Sequence, residues 1–263
     1  MNADEEKMRL RRPEELPDVA GNWPVASGTE VLERAAGRSG ELVLRRSGAD
    51  LEVVAGGTFL ISSANTASSV ALITAGLPFL KDVAPLRAED RGTSRPGIEV
   101  LIGGLGLGYA LDAALAEHRV GHVTVAEYEP VIVEWFRKYG GMRAERLTAG
   151  ETTARARVLV NDVANVMRES PGAFDLIALD TDNGPDWLVR ESNAGLYDEA
   201  GLALTHDALR PGGVAVFWSP ERYDWFAARL ATTFSQVNEV AAHDHIGDRC
   251  HEYTMYVARR KVD

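Results

Sequence analysis

The chain has one cysteine, Cys250, among its 263 residues, so no internal disulfide can form and a reducing compartment is expected. No apolar run approaches the ~18 residues that a membrane-spanning helix needs. The opening stretch, MNADEEKMRLRRPEELPDVAG, lacks the apolar segment of a secretory signal. A cytoplasmic protein with no membrane partner is therefore expected. Positive charge is scarce: 28 Lys and Arg stand against 39 Asp and Glu, a net of −11. A nucleic-acid binder needs a basic face, so nucleic acid is not an expected partner. The acidic surplus favours cationic small molecules only mildly, because it also serves solubility. Internal repeats and low-complexity tracts are absent. What is present is ordinary for a globular chain, 45% hydrophobic and 25% charged residues, enough to build a full core.

Residues 1–28 carry Pro13, Pro17 and Pro24 in a polar background and read as a flexible tail. Residues 29–96 form a first unit. There ELVLRRSGADLEVVAGGTFLI breaks into short β-rich runs at Ser-Gly-Ala-Asp and at Gly56-Gly57, the pattern of a small antiparallel meander. SANTASSVALITAGLPF follows as a helix, with Ser or Thr available as its N-cap. In residues 97–263 the rhythm changes. Apolar strand candidates at 98–103, 122–127, 157–162, 174–180 and 213–219 alternate with helical stretches such as YALDAALAEH, PVIVEWFRKYG and NAGLYDEAGLALTHDAL. Continuously apolar strands separated by helices predict a doubly wound, parallel α/β sheet covered on both faces. The final SQVNEVAAHDH and HEYTMYVARR read as two more strands, joined by a turn at Ile246-Gly247-Asp248.

The chemistry gathers where strands end. VLIGGLGLGYAL places Gly103, Gly104, Gly106 and Gly108 between the first strand of the sheet and a helix. Glycines there permit left-handed backbone, and the amides of such a turn can hydrogen-bond a ligand. The spacing is not the dinucleotide G-x-G-x-x-G, because Tyr109 stands where its third glycine belongs. G-x-G-x-G is the form common among enzymes that use S-adenosylmethionine (SAM). The second strand ends in Glu127, followed by Tyr128, and a carboxylate there can accept both hydroxyls of a ribose. Asp162 ends the third strand and precedes Val163; it can cap a helix, accept from an adenine amino group, or do both. Asp180 and Asp182 follow the fourth strand, where a carboxylate can orient a cation or take a proton from a nucleophile. A turn at Asn183-Gly184-Pro185 would explain the same aspartates structurally.

Taken in order, GGLGLGYAL, AEYEP, NDVANVM, LDTDNGP and LYDEAGLALTHDALRPGGVAVFWS, behind the meander, resemble the spermidine-synthase-like branch of class I SAM-dependent transferases. The resemblance spans about residues 40 to 260. It implies a Rossmann-like, seven-stranded sheet whose last strand is antiparallel, SAM as cofactor, and a homodimer. It places Gly104, Gly106 and Gly108 around the methionine part, Glu127 at the ribose, Asp162 and Val163 at the adenine, and Asp180 near the transferred group; Gly103 and Tyr128, beside these, are further candidates for cofactor binding. The chain also departs from the family. Aminopropyltransferases resemble one another in a G-G-G-D-G-G turn whose Asp holds the donor's amine; Gly106 stands at that position. Their acidic polyamine segment corresponds here to SSANTASSVALITAGLPF, which has no carboxylate, Tyr or His. A polyamine without acceptors binds poorly. The expectation is therefore methyl transfer to a small-molecule acceptor, with aminopropyl transfer from decarboxylated SAM as the alternative and a non-catalytic SAM-binding scaffold as a third reading.

Aromatic residues near the strand ends suit a planar or cationic acceptor. Trp187, Tyr197 and Trp218 are the candidates to roof the site, while Phe217, Trp225 and Phe226 are better explained as core. Asp180 and Asp182 are the candidate catalytic pair. His243, His245, Cys250, His251 and Glu252 match no zinc spacing, and neighbours on a strand point to opposite faces, so no metal site is expected.

Overall fold

The computed structural model describes residues 29–55, 58–64, 66–80, 97–181, 193–246 and 249–262. Strands β1 (Thr29–Gly37), β2 (Gly40–Ser47), β3 (Asp50–Ala55) and β4 (Thr58–Ser62) form an antiparallel sheet in that order. The meander has one strand more than its hydrophobic pattern announced. TEVLERAAG has little alternation, and β1 is held largely by its ladder to β2 and by polar contacts to the second unit. Helix α1 (Ala67–Thr74) and a 3-10 turn (Leu77–Phe79) follow. The expected Ser/Thr cap of α1 is corrected by the structure. Thr66 occupies the cap position without a side-chain bond, and the buried Asp244, far along the chain, accepts from the Ala67 and Ser68 amides at 2.8 and 3.0 Å.

The second unit runs β5 (Ile98–Gly103), α2 (Tyr109–Ala116), β6 (Val120–Glu127), α3 (Pro130–Tyr139), α4 (Met142–Thr152), β7 (Ala156–Val160), α5 (Val163–Arg168), β8 (Phe174–Leu179), α6 (Ala194–Tyr197), α7 (Glu199–Ala208), β9 (Leu209–Ser219), α8 (Asp224–Thr233), β10 (Gln236–Ile246) and β11 (Arg249–Arg259). Its seven strands are ordered β10-β11-β9-β8-β5-β6-β7. Strands β5 to β9 are parallel, and β11 runs antiparallel between β9 and β10. This is the Rossmann-like doubly wound sheet with an antiparallel last strand that the sequence led us to expect. The chain enters at β5, winds outward through β6 and β7, then crosses back to β8. The crevice between β5 and β8 is thus the topological switch point, where open α/β sheets bind ligands.

Helices α1 to α4 pack on one face around Val100, Ile102, Phe136 and Val216; α5 to α8 pack on the other around Leu101, Ile177, Phe217 and Phe226. In the second layer Phe226 meets Tyr256 and Phe217 edge-on at 5.1 and 5.5 Å, pairs worth about 0.5–1.5 kcal/mol each beyond the area they bury. Helix α4 has no counterpart in the sequence reading, because MRAERLTAGET is polar and buries only Ala144, Leu147 and Gly150. The single helix expected over NAGLYDEAGLALTHDAL is broken at Asp198, whose backbone is extended and whose carboxylate accepts the Gly201 amide at 2.9 Å. Among the described residues no helix is long and apolar enough to cross a membrane.

Candidate active site

The glycine turn leaves β5 at the switch point. Gly104, Gly106 and Gly108 have φ of 94°, 52° and 81°, the left-handed region that favours glycine. A side chain at Gly104 would come within 2.6 Å of the Asp180 carbonyl oxygen, and one at Gly108 within 2.2 Å of Phe136. The glycines therefore let β5, β8 and α3 close on one another. The amides of the turn are spent inside the protein: Gly104 N donates to Ala126 O at 2.9 Å, Gly108 N to Leu105 O at 2.9 Å, and Leu105 N to Glu127 Oε2 at 2.7 Å. These three amides are therefore engaged within the protein. The Leu105 amide holds Glu127, while the other two tie the turn to β6 and to itself.

Glu127 is 7% exposed at the end of β6. Its second oxygen, Oε1, accepts the Glu129 amide at 2.8 Å. Burial pushes its carboxyl pKa upward; the amides of Glu129, Leu105 and Gly106 oppose that shift, and the neighbouring Glu129 charge adds to it. A carboxylate has about four acceptor positions. With an amide on each oxygen and Gly106 close by, Glu127 has room for one ribose hydroxyl more readily than for two. Tyr128 beside it is half-buried; the Arg38 guanidinium lies 5.2 Å from its ring centroid and Nη1 donates to the Tyr128 carbonyl at 2.9 Å. Asp162 caps α5 through Oδ1 and the Ala164 amide at 2.9 Å, and Val163 is buried against Gly103.

Across the crevice, Asp180 follows β8. Its side chain keeps a partial opening at the surface, yet protein atoms crowd the carboxyl, and this desolvation raises its pKa from 3.8 to about 6. The opposing contact is Ser69 Oγ of α1, 3.4 Å from Oδ2. Strand register sets Leu179 opposite Phe217, so Asp180 and Trp218 are neighbours one position on, facing α1. Trp218 is half-buried and its ring lies 5.3 Å from that of Tyr253 on β11. Burial, and then the charge of Asp244, raise the Tyr253 pKa.

Two features escaped the sequence. Thr181 Oγ1 is buried with no hydrogen-bond partner among the described residues, and its methyl group lies against Gly103. An orphaned buried hydroxyl is unusual in a folded protein. Ile61 of β4 covers Gly106: a side chain there would come within 2.5 Å of Ile61 Cδ1. No sequence signal announces either one, because both depend on which strands meet. Taken together, the structure gathers Gly103, Gly104, Gly106, Glu127, Asp162, Val163 and Asp180 at one sheet edge. Tyr197 does not belong with them. It is 3% exposed and packs in the core beside Phe217 and Phe226, so its expected place over the site is corrected. Asp182 and Trp187 lie outside the described residues. His243 pairs with Glu252 across the β10–β11 hairpin at 3.1 Å, and among the described residues no cluster of His, Cys, Asp or Glu is arranged to hold a metal.

No family model and no curated protein matches the sequence. Solved structures do match the fold. A spermidine synthase in complex with the transition-state analogue AdoDATO superposes with a TM-score of 0.69 at 17% identity, over 89% of this chain and 74% of that one. The spermidine synthase of Thermotoga maritima superposes with a TM-score of 0.68 at 17% identity, over the same shares. The chain thus has the spermidine-synthase-like form of the Rossmann-like fold, meander included.

Proposed function

We propose that the protein is a transferase that moves an aminopropyl group from a decarboxylated SAM-type sulfonium donor to an amine. Asp180 is the observation that carries this reading. An amine arrives protonated and attacks only after losing that proton. A desolvated carboxylate with a pKa of about 6, beside the switch-point crevice, suits that task. The likeness to spermidine synthases supports an amine acceptor and a decarboxylated donor.

The crevice fits a nucleoside donor on its own terms: a buried acid at one strand end, an unpartnered hydroxyl at another, and a tight glycine turn between them. When bound, the donor supplies an electrophilic carbon on a positively charged sulfur. Glu127 holds a ribose hydroxyl, and Asp162, Val163 and Thr181 line the base. Asp180 takes the proton from the acceptor nitrogen, whose freed electron pair attacks the aminopropyl carbon in line as the carbon–sulfur bond breaks; that bond's electron pair stays on the now neutral sulfur, and 5′-methylthioadenosine leaves. Ser69 keeps the Asp180 carboxylate oriented through Oδ2. Trp218 and Tyr253 exclude water and present ring faces to an ammonium group. Most of the acceleration then comes from alignment.

Methyl transfer, ranked first from the sequence, becomes the second reading. Ile61 over Gly106 supports it, because the ammonium group of decarboxylated SAM would meet an apolar side chain there with no carboxylate to balance it, whereas SAM brings a carboxylate of its own. Offering the purified protein decarboxylated SAM and SAM in turn, each with diamines and aromatic amines, separates the two. A product heavier by an aminopropyl group is expected. A methylated product made from SAM alone would replace this reading by the second, and donor binding without turnover would leave a scaffold.

A further inference from the structure

We infer that Glu129, which faces away from the crevice, is a positioning residue for donor binding, and that it couples the turn between β1 and β2 to the donor site. The inference rests on the reading that a nucleoside donor contacts Glu127. Glu129 is 6% exposed. Its carboxylate accepts the Arg38 amide at 2.7 Å through Oε2 and the Ser39 amide at 2.7 Å through Oε1. Its own amide donates to Glu127 Oε1, while Glu127 Oε2 accepts from Leu105 of the glycine turn. One line of hydrogen bonds therefore runs from the meander turn through Glu129 and Glu127 to the loop after β5. Arg38 adds a parallel tie, from Nη1 to the Tyr128 carbonyl.

The approach is close enough to dictate sequence. A side chain at Gly37 would come within 2.7 Å of Glu129 Oε2 and within 2.5 Å of Leu42, so only glycine lets the turn seat itself. The turn residues Arg38 and Ser39 are otherwise exposed. A buried carboxylate satisfied by two exposed-turn amides is costly to leave unpaired, so the turn and the loop 127–129 hold each other in place. If the donor needs Glu127 in this position, docking of the turn and binding of the donor favour each other, and the coupling acts in both directions.

The test uses 5′-methylthioadenosine, which keeps the nucleoside and lacks a transferable charge, with calorimetry and amide hydrogen exchange on the full chain. Wild-type protein should bind it, and binding should slow exchange at Arg38 and Ser39. Glu129→Gln removes one of the two acceptors, and Gly37→Ala displaces the turn while leaving Glu129 intact. Each should weaken binding about five- to twentyfold, within the usual range of coupling between sites, and should abolish the slowing at the turn. A role in folding alone would lower stability without moving that ligand-dependent exchange. Unchanged affinity in both variants, with exchange at the turn indifferent to ligand, overturns the inference and leaves the proposed function standing. Failure of the wild type to bind removes the donor reading and this inference with it.

Discussion

The two halves of the sheet edge are built differently. On the β5–β6–β7 side, polar groups are answered by backbone: Glu127 by the amides of Leu105 and Glu129, Asp162 by Ala164, the turn amides by Ala126 and Leu105. On the β8 side, two polar groups next to the crevice are less well answered. Among the described residues, Asp180 has one long side-chain contact, from Ser69, and Thr181 Oγ1 has no partner. Satisfied groups are held rigidly before any ligand arrives, while under-satisfied ones store free energy that a ligand can release. We read the first half as the preformed seat of the donor's ribose and the second as the half where Asp180 does chemistry on the acceptor and Thr181 reaches the donor's base.

Substitutions can break this comparison. The largest effect is expected on the chemical side. Asp180→Asn should lower kcat/KM by about 10²–10⁴-fold with the donor that turns over, and should leave donor affinity nearly unchanged. The wild-type log kcat/KM should climb with pH and level off above about 6, and the variant should lack that limb. The same shift has a signed effect on stability. The folded carboxyl holds its proton more tightly than the unfolded one, so Asp180's contribution to stability should rise as pH falls from about 6 towards 3.8, read as a stability difference between wild type and variant that changes with pH in that window. A variant with full activity would move the chemistry off Asp180.

Glu127→Ala should weaken nucleoside binding by about 1–3 kcal/mol without displacing the pH limb. An equal loss of kcat with affinity intact would erase the division between the halves. Asp244→Ala should cost about 2 kcal/mol of stability through the two freed amides of α1, read as a lower denaturant midpoint at constant slope. Because α1 carries Ser69, its pH limb should also shift. Thr181→Val should have the smallest effect: folding stability unchanged or slightly higher, since no partner is lost, and donor affinity lower by about 1 kcal/mol. Unchanged affinity there would take Thr181 out of the site.

The donor half was far more legible in the sequence than the acceptor half. Strand β5 falls on the expected 98–103, and the glycines, Glu127 and Asp162 sit at strand ends because apolar runs stop where the sheet does. Such residues are local to one strand–turn–helix unit, so spacing alone locates them. The acceptor side depends on contacts between distant segments. Ser69 meets Asp180 and Asp244 meets Ala67 only after the sheets assemble. Tyr197 shows the opposite error: an aromatic residue near the site in sequence is turned by the break at Asp198 into the far core. Polar α4 carries too few buried positions to leave a helical period, yet it supplies Arg143, whose guanidinium lies 4.0 Å from the Tyr109 ring centroid and whose Nε donates to the Leu107 carbonyl at 2.9 Å.

The central claim is that a nucleoside lies in the crevice between β5, β6 and β8. A crystal grown with saturating 5′-methylthioadenosine tests it most directly. The account predicts density for the nucleoside there, with a ribose hydroxyl on Glu127 and a base atom within hydrogen-bonding distance of Thr181 Oγ1. A crevice without ligand, with Glu127 bonded only to its own amides, would contradict it.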